Sequence, residues 1–298
     1  MAGSVLVGTC NWADHAPFYP LGLPARDRLA YYARFFPLVE VDSTFYGIPP
    51  PRTTARWVAV TPDAFRFNVK AYRSLTGHER EGGRPREPTA AEVAAFAEAL
   101  RPLREAGRLG AVHYQFPPWF PAGPGALAQL ALLPERHPQD LVVVEMRHRS
   151  WGQPEVFAQL CDLLQESGLV YCVVDEPQLG SGSMPPLTAV TNPRLSLVRF
   201  HGRNRATWYH RGATSGERFN YRYRPDELRL WLDPIAALVA AAQEVHLLFN
   251  NNKENFAVLN ALELAALLDL GLPPPAATVP GPAGPAVQPR LLADEPEP

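Results

Sequence analysis

Glu145 and Arg147 stand two residues apart at the end of "LVVVEMR" (141–147), where an apolar run delivers a carboxylate and a guanidinium to one side of an extended segment. Lys70 closes a similar run, "FRFNVKA" (65–71), and among 28 basic residues only Lys70 and Lys253 are lysines. Arginine and lysine are not interchangeable where a group must titrate or fit tightly, so these two positions stand out. Asp42, Asp175 and His201 end or follow further apolar runs. Asp42, Glu145 and Asp175 can supply an acid and a base if their surroundings push their pKa values apart, with Lys70 or His201 as the opposite partner. Lys70 is also suited to a Schiff base, although a counter-ion role toward Glu40 or Asp42 is simpler. Glu145, Asp175 and His201 form a plausible three-ligand metal set. No two histidines share ligand spacing, however, and Lys70, Arg147 and Arg199 crowd the same place. No cofactor is expected, and a divalent metal ranks below acid–base work.

Eight short strand-like runs carry these residues: 5–9, 38–44, 65–71, 110–116, 141–147, 169–175, 195–202 and 245–251. Between most of them lie helical patterns, at 25–36, 89–106, 153–167 and 225–243, and one more (255–269) follows the eighth. Strands alternating with helices predict a parallel sheet, and eight such units predict a closed (β/α)8 barrel of the TIM type. A doubly wound sheet is the alternative. Side chains alternate across a strand. Every run has one apolar face and one that turns polar toward its C-terminal end: Glu40 and Asp42, Asn68 and Lys70, His113 and Gln115, Glu145 and Arg147, Asp175, Arg199 and His201, Asn250. The first run sets Thr9 and Asn11 against Leu6 and Cys10, and the sixth sets Val173 and Asp175 against Cys172 and Val174. The polar faces are expected to point inward, with their C-terminal ends forming the site. A single pair such as Glu145 with Arg147 can be purely structural. The whole constellation is better explained by a solvated pocket for a polar substrate.

Composition narrows the partners. Net charge is −2, which gives no global field toward nucleic acid or anionic membrane. No eighteen apolar residues run together, and the N-terminus lacks a secretory pattern. Cys10, Cys161 and Cys172 are an odd set without metal spacing, so a reducing cytoplasm is the expectation. The segment 203–224 interleaves arginines with Trp208, Tyr209, Phe219, Tyr221 and Tyr223. It reads as a packed lid or as a surface for phosphates and stacked bases. From about Leu272 the sequence becomes Pro/Ala/Gly-rich, so residues 272–298 are expected to be a disordered tail after a barrel spanning 4–271.

The motifs "VEVDSTFY" (39–46), "KAYRSLTGH" (70–78), "QFPPWF" (115–120), "EMRHRSW" (145–151), "VRFHGRN" (198–204) and "FNNN" (249–252), in this order, resemble the YecE-like family, the domain of unknown function numbered seventy-two. The resemblance covers roughly 4–270 and implies a bacterial TIM-type barrel, related in shape to xylose isomerases and endonuclease IV. It brings no settled activity. "GTCNW" (8–12) departs from the Gly-Thr-Ser-Gly-Trp-like segment common there, and Gly77 separates Thr76 from His78.

The expected protein is an enzyme acting by acid–base chemistry on a small anionic or polyhydroxylated substrate. Its catalytic candidates are Asp42, Lys70, Glu145, Asp175 and His201. Candidates for substrate contact are Asn11, Tyr46, Asn68, His78, Gln115, Arg147, Arg199, Arg203, Asn250 and Asn251. A nucleic-acid binding or processing protein is the runner-up and a non-catalytic binder the third reading; no membrane partner is expected, and no motif sets an oligomeric state. Deleting residues 273–298 is expected to leave the thermal transition unchanged in calorimetry, since such a segment adds no core. A marked loss of cooperativity would show that it docks on the barrel.

Overall fold

The computed structural model describes residues 3–209 and 215–274. Eight parallel strands pair in chain order and close on themselves: β1 (Ser4–Cys10), β2 (Leu38–Val41), β3 (Arg66–Lys70), β4 (Leu109–Gln115), β5 (Val142–Glu145), β6 (Val170–Asp175), β7 (Leu195–Phe200) and β8 (Glu244–Phe249). The last pairs with the first, Val5 opposite Val245 and Thr9 opposite Phe249. This is a (β/α)8 barrel of the TIM type. Strands buried on both faces need Val, Leu and Phe without solvent-facing breaks, which is what these runs contain.

Helices pack outside. They form at Arg28–Tyr32, Ala90–Glu105, Pro154–Glu166, Leu232–Ala241 and Phe256–Leu267, within the stretches that the apolar spacing marks. Thr89 caps the longest through a reciprocal capping box with Glu92. Two further helices, Pro51–Ala59 and Pro124–Ala131, each begin on a proline, which is tolerated in a first turn because no amide hydrogen is needed there. Residues 176–194 between β6 and β7 contain no helix, as their loop-like composition predicts. Leu272 packs against the core as the described chain ends. The remainder of the Pro/Ala-rich segment, from 275 to 298, lies outside the described residues.

The inward faces of β2, β3, β4, β5, β7 and β8 are those expected. β1 and β6 are inverted. In β1 the Thr9 hydroxyl faces the helix layer, hydrogen-bonded to the Tyr32 hydroxyl at 3.0 Å, while Cys10 lies inside, 3.4 Å from the Arg199 guanidinium. In β6 Cys172 points inward, its sulfur 3.8 Å from Glu145. Asp175 points outward, accepting from the Trp231 indole at 3.2 Å and from Arg203 at 2.8 Å. Both departures have one cause: a polar side chain belongs wherever its hydrogen-bond partner stands, and here the partners stand outside the barrel.

β1 and β2 approach closely. A Cβ on Gly8 would stand 2.0 Å from the Leu38 carbonyl oxygen, a backbone atom that cannot turn aside. Gly8→Ala is therefore expected to destabilise by about 1–3 kcal/mol or more, the usual cost of overpacking, read as a lowered midpoint in urea. Gly125→Ala, at a position with open space around it, is the control and should not lower the midpoint.

Candidate active site at the barrel mouth

The barrel interior is filled in tiers. Deepest, Asn68 hydrogen-bonds His246 Nδ1 at 3.0 Å, and His246 Nε2 lies 2.7 Å from Glu244. Above this sits a buried ionic tier. The Arg199 guanidinium donates to Glu145 Oε2 at 2.7 Å and to Glu40 Oε1 at 2.5 Å, all three fully shielded from solvent. The His113 ring spans the same carboxylates, Nδ1 2.9 Å from Glu40 and Nε2 3.2 Å from Glu145. His201 Nε2 lies 3.1 Å from Glu145 Oε1, and its Nδ1 lies 2.9 Å from the Asn250 amide nitrogen. An amide nitrogen can only donate, so Nδ1 is the acceptor and Nε2 carries the proton toward Glu145.

Electrostatics follow from these contacts. Burial alone would raise both glutamates. Arg199 and His113 outweigh it at Glu40, and Arg199, His201 and His113 outweigh it at Glu145, so both carboxyls are held below the usual range. Burial works against a charged His113, yet Glu40 and Glu145 beside it raise its pKa. Two carboxylates thus meet the Arg199 guanidinium and a histidine whose charged form they favour. Burial lowers His201 to about 3, keeping it neutral. Fixed at both nitrogens and sealed from solvent, His201 orients Glu145 and does not act as a base.

Over this floor opens a cavity of about 730 Å³. Asp42, Lys70, Gln115, Arg147 and Asn250 rise into it from the strand ends, joined by Asn11 and His78 from loops and Tyr46 from the short helix Ser43–Tyr46. Asn11 reaches the wall because its left-handed backbone (φ 65°) breaks the strand alternation just past β1, which a rule of alternation cannot foresee. Lys70 Nζ lies 3.6 Å from Asp42 Oδ1 and 4.8 Å above the Phe45 ring. Burial, reinforced by Glu40 and opposed by Lys70, raises the Asp42 carboxyl. Arg147 is held between Glu176 (2.7 Å) and Glu145 (3.4 Å), its guanidinium 5.3 Å from the centre of the Trp208 ring. Burial lowers His78 to about 4, with Lys70 and Arg147 adding to the effect.

Seven candidates lie elsewhere. Asn68, Glu145, Arg199 and His201 are beneath the cavity floor, so Arg199 is neutralised within the barrel instead of facing a ligand. Asp175 and Arg203 pair behind the wall, and Arg203 also reaches Glu227 at 3.4 Å. Asn251 is buried, bonded to Tyr221 and Asn260, and ties down the last loops. The proposed metal set therefore does not converge: Glu145 and His201 meet, and Asp175 faces the other way. Ligand atoms of His113, Glu145 and Cys172 do lie within 4.8 Å of one another, as do those of Cys10, Glu40 and Asp42. Arg199 already sits on both groups through Glu145 and Glu40, so a dication there would face a guanidinium. The donor sets do not fit a metal.

Sequence reading misses Glu176, Trp119 and Arg218 on or behind the wall, whereas Asn252 belongs to the asparagine run 250–252 that it marks as able to hydrogen-bond a polar ligand or cap the last helix. Glu176 follows Asp175 and turns inward because β6 is inverted; nothing local signals it. Trp119, in "QFPPWF", was legible only as an unusually placed aromatic among prolines. In the 203–224 segment the arginines are mostly paired, Arg222 with Glu263 and Arg224 with Asp226, while Trp208 and Phe219 pack edge to face above His201. Residues 210–214 of the segment lie outside the described residues.

A closed barrel with its polar cavity at the C-terminal ends of the strands defines a TIM-type protein with a site in the usual place for that architecture. The chain matches the family described as Protein of unknown function DUF72 over residues 6–283, and it belongs to that family. It is 35% identical to the UPF0759 protein YunF of Bacillus subtilis over 269 residues, covering 89% of this chain and 95% of YunF. It is 31% identical to the UPF0759 protein YecE of Escherichia coli over 156 residues, about half of each chain. Crystal structures of DUF72 family proteins superpose well: one from Enterococcus faecalis at a TM-score of 0.81 and 32% identity, covering 92% of this chain and 99% of that one. One from Thermotoga maritima gives 0.78 and 31%, covering 89% and 99%.

Two tests follow from the tiers. Glu145→Gln leaves Arg199 and His113 undercompensated and is expected to destabilise by ~3–5 kcal/mol in denaturant melts. Arg147→Met, whose side chain reaches the wall, should spare the midpoint far more. Equal midpoints would mean that β5 does not bury its carboxylate. The second test concerns Glu176, which burial pushes up to about 7. A carboxyl raised in the folded state favours folding fully below its unfolded pKa of roughly 4.3, and that contribution is lost as pH rises through about 7. Stability should therefore fall between these limits, and Glu176→Gln should flatten the fall.

Proposed function

We propose that the barrel mouth is the active site of an enzyme that moves protons on a small anionic or polyhydroxylated substrate, with Asp42 as the transferring group. The observation carrying this is a split between neighbours. Glu40 and Asp42 both approach Arg199, at 2.5 and 3.7 Å, yet Glu40 is held ionised while Asp42 is raised. Two carboxyls pushed apart in this way are the arrangement from which an acid and a base are made. Asp42 lines the cavity with its side chain partly exposed, and because Oδ1 is shielded beside Lys70 and Arg199 the carboxyl meets a ligand through Oδ2.

The wall argues for the substrate class. Lys70, Arg147 and Arg218 line the cavity with Asp14 and Asp42, and although Glu176 and Glu145 behind the wall hold Arg147, three cationic heads around one opening favour an anion. Asn11, Gln115, Asn250 and Asn252 offer both donors and acceptors, which suits hydroxyl groups. The three cysteines are unpaired, as a reducing compartment requires, which supports a cytoplasmic enzyme. A second reading, nucleic-acid binding, is favoured by the exposed rings of Tyr46, Trp119 and Tyr209 at the rim.

Incubation of the protein with a panel of phosphorylated and acidic sugars, followed by mass spectrometry, tests the enzyme. Wild type should convert at least one compound, and Asp42→Asn should slow that conversion by roughly 10²-fold or more, the scale of general acid–base assistance. Binding of inorganic phosphate, lost in Arg147→Met, should accompany it. If phosphate binds and no compound turns over, the site is a binder. Affinity for single-stranded DNA falling steeply between 50 and 200 mM salt would favour the second reading.

A further inference from the structure

Resting on the mouth as a catalytic site, we propose that Lys70 captures a carbonyl-bearing anion covalently, as an imine. The first ground is the choice of residue. In a chain that uses arginine at 26 of its 28 basic positions, Lys70 is a primary amine. A guanidinium in its place could grip Asp42 through two parallel hydrogen bonds, the stronger ion pair. It could not form an imine.

The second ground is geometry. Lys70 ends β3 and opens directly into the cavity. Its Nζ stands 3.6 Å from Asp42 Oδ1, beyond hydrogen-bonding range, and among the described residues it makes no hydrogen bond through Nζ. The amine therefore faces open space that can take a substrate carbon. Below it, the Phe45 ring face and the Asp42 carboxylate stabilise a cation at that point. An iminium carries its charge on the same nitrogen, so the surroundings that hold the ammonium also hold the product. Asp42, its carboxyl raised by burial, stands beside the amine, where it can take a proton and return it. Arg147, whose charge like that of Lys70 is felt at His78, can receive the anionic end.

The step balances without an added reagent. The Lys70 ammonium passes a proton to the Asp42 carboxylate, and the neutral amine attacks the carbonyl carbon. A carbon–nitrogen bond forms as the carbonyl π pair moves to oxygen, which takes up the second amine proton. Asp42 returns its proton to that hydroxyl, water leaves with the carbon–oxygen pair, and the nitrogen lone pair completes the iminium. Ammonium and carbonyl become iminium and water.

Glyoxylate, a small aldehyde carrying a carboxylate, is the probe, with cyanoborohydride to trap the adduct at neutral pH and peptide mass spectrometry to locate it. Lys253, half-buried beyond β8 and without an ion pair among the described residues, is the internal reference. Lys70 should be modified faster than Lys253 by roughly a hundredfold, with a rate that saturates in glyoxylate, and Asp42→Asn should remove most of that advantage while leaving Lys253 unchanged. Lys70→Arg should keep phosphate binding and lose the adduct. Equal rates at the two lysines, or an advantage unaffected by Asp42→Asn, would overturn the inference. If Lys70 is inert while phosphate still binds through Arg147, the imine alone fails. If Lys70 reacts as expected and phosphate does not bind, the fault lies in the reading of the anion site.

Discussion

Everything above the barrel floor depends on Arg199 being held between Glu40 and Glu145. A guanidinium fully withdrawn from water costs several kcal/mol unless its charge is matched and its donors are used. β2 and β5 supply the two carboxylates from opposite sides, and His113 on β4 bridges them, its charged form favoured by both. The arrangement also demands that four strands keep their relative height, since a slip of one residue would turn every one of these side chains to the helices. The ionic tier thus works as a register lock as well as a plug.

That lock explains the character of the mouth. Because Glu145 is spent on Arg199, His113 and His201, it restrains Arg147 only at 3.4 Å. Arg147 is steadied instead by Glu176 and the Trp208 face. Asp42 stands one layer above Glu40, close enough to feel its negative charge and deprived of full solvation. Its carboxyl is raised first by burial and then by Glu40 in the tier below. Charges placed in this way act on a group without touching anything in the cavity. Membership of the DUF72 family agrees with the barrel and leaves the chemistry to be read from these side chains.

Much of the architecture was legible without coordinates. Eight apolar runs separated by helical spacing define a closed parallel barrel, because few other arrangements bury such strands on both faces. Six of the eight inward faces followed from alternation, and with them Asp42, Lys70, Gln115, Arg147 and Asn250 at the mouth. The failures share a cause. Thr9 and Asp175 are polar, and polarity alone points them to the barrel interior. Tyr32, Trp231 and Arg203 offered them partners on the outside, and the small sulfur groups of Cys10 and Cys172 fitted inside instead. Composition along a strand carries no information about what a helix distant in sequence will present.

Depth was equally invisible. Glu145, Arg199 and His201 look like Asp42 and Lys70 in sequence, each a polar residue ending an apolar run. Whether such a residue meets solvent or another charge depends on how far the strands stagger around the barrel, which is set by pairing between strands and by the bulge where β3 meets β4. The sequence by itself determined which side chains share a strand face, since alternation is a property of the local backbone. Only the tertiary structure decided which became the sealed counter-ions and which were left facing the cavity, because burial and charge pairing are sums over neighbours that the chain brings together from as far as 189 residues apart, as with Arg199 and Cys10.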